Sequence, residues 1–112
     1  MTPLRIRFSN HALNERADRI AYIATTIGFG EIIARKLVVD ERGKVMRLLT
    51  DTGVIIVTDP HEECILTMWI ADPTQVKDFY PEGVCNQAVL RLVKKYMEKG
   101  YQNEQDKQKK GN

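Results

Sequence analysis

Along residues 4–8 the chain alternates Leu4, Ile6 and Phe8 with Arg5 and Arg7, the period of two that marks a half-buried strand. Ser9 or Asn10 can then cap a helix, and apolar positions follow at Ala12, Leu13, Ala17, Ile20, Ala21, Ala24 and Ile27. This spacing predicts one amphipathic helix whose apolar stripe faces a core, with Phe8 packed back on its first turns. Gly28 and Gly30 should end that helix, because glycine tolerates positive φ and weakens helical preference. "EIIARKL" (residues 31–37) reads as a short second helical or irregular segment.

From Leu37 the period changes. "LVVD" and "KVMRLLT" flank "ERGK", a turn signal around Gly43. "DTG" at 51–53 turns the chain into "VIIVT", a β-branched run that reads as a central strand. "DPHEE" turns it again into "CILTMWI". Three or four short strands joined by tight turns predict an antiparallel meander. Beyond Pro73 and Pro81, "VCNQAVLRLVKKYMEKG" predicts a C-terminal amphipathic helix. Its expected face is Val84, Ala88, Leu92 and either Tyr96 or Met97, with Val89 and Val93 beside it and Gly100 at the end. "YQNEQDKQKKGN" lacks apolar material to pack and reads as a disordered basic tail.

The fold class is therefore α+β: an N-terminal strand and helices packed against one face of a curled antiparallel meander, then a C-terminal helix. Residues 1–100 form the single domain and 101–112 the tail. The 112-residue length fits one modest core. No apolar run reaches the roughly 18–20 residues that span a bilayer, and the early arginines do not suit an export signal. Cys64 and Cys85 are expected as free thiols in a reducing, cytoplasmic compartment. Two cysteines and two histidines at irregular spacing lack the pairing of a structural zinc site, so neither metal nor cofactor is expected.

Charge refines this picture. The net charge is +2, but residues 1–50 carry nine basic against five acidic residues, 51–90 one against seven, and 91–112 seven against three. A general nucleic-acid binder is more often basic throughout, which leaves room for only a local basic patch in the first half.

The candidate chemistry lies mainly in the opening helix. His11 and Glu15 are four residues apart and share a face, while Arg16 and Arg19 form a cationic flank. A histidine for proton transfer beside arginines for a crowded phosphate is a workable kit for RNA cleavage without metal. An ordinary solvated helix face with ion pairs accounts for the same residues. Arg47 and Thr67 each interrupt an apolar strand face, Arg47 beside Val45 and Leu49, Thr67 between Ile65 and Trp69. They are read either as cleft residues or as polar groups satisfied locally. Trp69, with Tyr80, could stack a base or simply fill the core. His61 sits in a turn, and "RLVKKYMEK" is basic outside and apolar inside.

"FSNHAL", the following Arg19-Ile20 step and "GKVMRLLTDTGVIIVTDPHEECILTMWI" together resemble a small family of phage- and mobile-element-associated domains. That family is similar to RelE-type toxins, within the barnase–EndoU–colicin–RelE group of metal-independent ribonucleases. The resemblance spans roughly residues 4–70. It implies a toxin-like endoribonuclease with His11, Arg19, Arg47 and Thr67 as catalytic residues; Arg16, Glu15 and Trp69, read from the residues themselves, are the substrate-contact candidates beside them. One departure is clear: Glu15 stands where the family has arginine, and Arg16, one residue later, is rotated by about 100° on a helix. The partners implied are RNA and a protein such as an antitoxin or host factor, with no membrane. A homodimer built on an exposed strand edge is a further expectation. The competing expectation is a non-catalytic accessory protein that binds a host protein or sequesters a nucleotide.

Overall fold

The computed structural model describes residues 7–9, 17–41, 43–80 and 86–100. Within them the order is β1 (Arg7–Phe8), α1 (Ala17–Thr26), β2 (Ile32–Asp40), β3 (Gly43–Thr50), β4 (Val54–Thr58), β5 (Cys64–Ile70), α2 (Pro73–Asp78) and α3 (Gln87–Glu98). The predicted α+β class holds. Strands β2 to β5 form the antiparallel meander, and β1 adds a parallel edge against β5, giving the order β1-β5-β4-β3-β2.

β4 is central, and all five of its residues are buried. A strand covered on both faces needs the unbroken apolar run that "VIIVT" supplies. Leu48, Val54, Ile56, Met68 and Ile70 pack beneath Ile20 and Ile23 of α1. Val45, Leu49, Ile55 and Val57 pack on the other side with Val76 of α2 and Val89, Leu90 and Val93 of α3. The helices therefore cover both faces, not the single face expected. A β4 that is apolar from Val54 to Val57, flanked by amphipathic strands, offers two apolar surfaces, and one layer of helices buries only one.

"EIIARKL" is also corrected. Residues 32–40 form one nine-residue edge strand whose exposure alternates residue by residue. Two consecutive isoleucines and two consecutive valines favour a pleated surface, and register with β3 fixes it, with Lys36 opposite Arg47 and Val38 opposite Val45. On the C-terminal helix the buried stripe is Val89, Leu90 and Val93, whereas Ala88 is exposed. The apolar face is thus rotated from the one predicted through Ala88 and Leu92.

The turn at 51–53 ties the layers together. Val54 N–H donates to Thr50 Oγ1 at 3.2 Å, and Thr50 Oγ1 lies 3.0 Å from Thr52 Oγ1. Thr52 Oγ1 in turn donates to the Gly28 and Phe29 carbonyls at 2.9 and 3.1 Å. The Tyr96 hydroxyl of α3 donates to Thr52 O at 2.9 Å. Gly53 has φ +83°, and a Cβ there would stand 2.6 Å from Val93 Cγ1. Only glycine lets α3 approach this turn so closely. Among the described residues, no helix is long and apolar enough to cross a membrane.

Candidate functional site

The face of the sheet under α2 carries an unusual row. Cross-strand register places Lys36, Arg47, Val57 and Thr67 side by side, with Ala34, Leu49, Ile55 and Trp69 in the next row. Thr67 shares this face with Trp69 by ordinary alternation, and an irregularity in β5 then moves Ile65 off it: Val57 pairs with Thr67, but Thr58 pairs with Ile65. The extra residue shifts the alternation. Ile65 joins the core beneath α1, while Leu66 and Trp69 pack on the α2 side. The sequence expectation that Ile65 and Thr67 share a face is corrected by this bulge.

Trp69 is held from above. Asp72 caps α2 by accepting from Gln75 N–H at 2.8 Å, and Gln75 Oε1 accepts from Asp72 N–H at 3.0 Å. The same Gln75 oxygen accepts from Trp69 Nε1 at 3.2 Å. A capping box thus doubles as the orienting partner of the indole. The oriented ring receives the Arg47 guanidinium 5.8 Å from its centroid, a cation–π arrangement.

Arg47 Nε and Thr67 Oγ1 are buried and have no hydrogen-bond partner among the described residues. Each unmet buried polar group costs about 1–3 kcal/mol, so two on one sheet face are a feature to be explained. Lys36 beside them is engaged, its Nζ 2.9 Å from Asp78 Oδ2. A guanidinium and a hydroxyl with unused hydrogen-bonding capacity suit an oxyanion, above all the tetrahedral oxygens of a phosphate.

The other sequence candidates fall elsewhere. Arg19 rises from α1, in the opposite layer, and its Nη1 donates to the Met68 carbonyl at 3.5 Å. The structure brings Arg47, Thr67 and Trp69 together on one face, while Arg19 reaches the backbone of β5 from the other layer. His11, Glu15, Arg16 and Cys85 lie outside the described residues. His61 is exposed in the loop between β4 and β5. That loop is organised by Asp59, whose Oδ1 accepts from Glu63 N–H at 2.8 Å and Cys64 N–H at 2.7 Å, and whose Oδ2 accepts from His61 N–H at 3.3 Å. Burial pushes the Asp59 carboxyl up, but the N–H groups of Cys64, Glu63 and His61 outweigh it and hold the carboxyl below its ordinary value. Cys64 is a half-buried free thiol. Among the described residues, no three His, Cys, Asp or Glu side chains group as metal ligands.

Sequence reasoning missed Gln75, Asp72 and Lys36. The signal for the first two was present, because "DPTQ" is a capping-box pattern with proline in the first turn. Lys36 was hidden by the helical reading of its segment. In comparisons with protein families, curated proteins and solved structures, none matches this chain.

Proposed function

We propose that this protein binds RNA by its phosphates at Arg47 and Thr67, on the sheet face where Trp69 is fixed, and that it acts as a metal-independent, toxin-like endoribonuclease. The observation that supports this reading is the pair of buried polar atoms, Arg47 Nε and Thr67 Oγ1, left unsatisfied on one sheet face. A guanidinium in that position stabilises the extra charge of a crowded phosphorane as a ribose 2′-hydroxyl attacks its own phosphodiester. Proton transfer is assigned to His11, which lies outside the described residues and which the sequence pattern predicts near a helix start.

Fluorescence polarisation with a labelled single-stranded RNA tests the binding step. Arg47→Ala should weaken binding about tenfold and lower the salt slope by about one phosphate contact. Incubation with a chelator then tests cleavage: wild-type protein should leave cyclic phosphate ends, and His11→Ala should bind RNA but not cut it. Wild-type protein that binds no RNA at low salt overturns the whole reading.

The placement of Arg19 favours a second reading, in which the same face only sequesters a phosphate-bearing ligand. With Arg19 rooted in the opposite layer and engaged with Met68 O, Arg47 is the guanidinium the described residues offer on this face. Binding that persists in a chelator, with intact RNA recovered, selects this reading over cleavage.

A further inference from the structure

β2 ends the sheet, and among the described residues nothing pairs with its outer side. It is nine residues long, contains no proline, and leaves Leu37 53% and Val39 72% exposed. Long apolar edges of this kind template further strand pairing unless they are blocked. The charges along this one do not block it; they are self-complementary.

Two β2 strands placed antiparallel about a two-fold axis at Val38 set Val38 opposite itself and Leu37 opposite Val39. The same register sets Lys36 opposite Asp40 and Arg35 opposite Glu41, each pair occurring twice. An axis at Lys36 would oppose lysine to lysine. An axis at Leu37 would set Lys36 against Val38 and Arg35 against Val39, with no opposite charge across the pair of strands. Opposite charges directly across a pair of strands stabilise it and like charges destabilise it. Arg35 and Lys36 are also held in place within the chain, Arg35 Nε 2.9 Å from Glu62 Oε2 and Lys36 Nζ 2.9 Å from Asp78 Oδ2.

We propose that a second copy of this chain docks on β2 in the Val38-centred register, joining two five-stranded sheets into one continuous sheet with a two-fold axis. The apolar pairs at the centre of β2 give the adhesion, and the four flanking ion pairs fix the register. The interface runs along the outer edge of β2, and Lys36 is the residue it shares with the row that carries Arg47 and Thr67.

The test is mass by sedimentation or light scattering from ~1 µM to ~1 mM, the range that suits a small interface. Wild-type protein should move from 12.9 kDa toward twice that mass. Lys36→Glu alone opposes Glu to Asp40, and Asp40→Lys alone opposes Lys to Lys36; each should weaken the dimer about tenfold or more. An equimolar mixture of the two variants restores both cross-strand pairs and should recover the dimer. Val39→Lys, at an exposed position, should also give the one-chain mass, with an unchanged circular dichroism spectrum. Wild-type protein at one-chain mass throughout, single variants that dimerise like wild type, or a mixture that stays monomeric would each overturn the proposal.

Discussion

Gln75 is where a helix cap and the candidate site share one atom, so Gln75→Ala is a sharp perturbation. It removes the oxygen that accepts from both Trp69 Nε1 (3.2 Å) and Asp72 N–H (3.0 Å). Two such hydrogen bonds, half-exposed, amount to about 1–2 kcal/mol net. Helix α2 has six residues, too short to persist on its own propensity, but Val76 still anchors it in the core. The expected loss is therefore about 1–2 kcal/mol and not unfolding, which for a domain of this size lowers Tm by about 4–8 °C. The indole, released at its nitrogen, should also change its emission wavelength. The assay is thermal unfolding followed by circular dichroism, with emission of the single tryptophan recorded alongside. Thr74→Ala, at an exposed position on the same helix, is the control. A Gln75→Ala melting curve and emission spectrum that superimpose on wild type would refute the reasoning, because the oxygen would then hold nothing in place.

Further expected outcomes follow from the same geometry. Gly53→Ala combines a positive φ with a 2.6 Å approach to Val93 Cγ1, a buried β-branched side chain with little freedom to move; denaturant unfolding should show a loss of about 2–4 kcal/mol. Asp59→Ala removes the acceptor of three loop N–H groups and should cost about 1–2 kcal/mol at neutral pH. Because folding lowers the Asp59 pKa, its contribution is present above the unfolded carboxyl value and fades as pH falls through the folded one. The gap between variant and wild type in urea titrations should therefore narrow below about pH 4. Thr67→Val replaces an unsatisfied hydroxyl by a methyl of the same shape; it should raise Tm while weakening RNA binding. A Thr67→Val protein that is less stable than wild type would mean that the hydroxyl is satisfied in the fold and is not held for a ligand.

Much of the fold is legible in the residues themselves. "VIIVT" announces a strand buried on both faces, the glycines at 43 and 53 mark turns, and Gly28 ends α1 with φ +88°. The failures have local causes. "EIIARKL" offers Arg, Lys and Leu, which suit a helix, and only its pairing with β3 makes it a strand. Which faces the helices cover depends on β4 being apolar on both faces from Val54 to Val57, a feature that identifies a central strand but does not say what lies on each side. For the site, alternation places Arg47 correctly beside Val45 and Leu49, whereas one extra residue in β5 puts Thr67 and Ile65 on opposite faces. A bulge has no reliable mark in a single sequence. The distance of Arg19 from this group is likewise a property of layer order, invisible along the chain.

The central claim is that the unmet hydrogen-bonding groups of Arg47 and Thr67 await a phosphate. Its most direct measurement is the emission of Trp69, the ring beneath the Arg47 guanidinium, during titration with single-stranded RNA at low salt. The account expects a saturable change that fades with added salt and shifts to about tenfold higher RNA concentration in Arg47→Gln. Emission that does not respond in wild type, or that responds identically in Arg47→Gln, would contradict it.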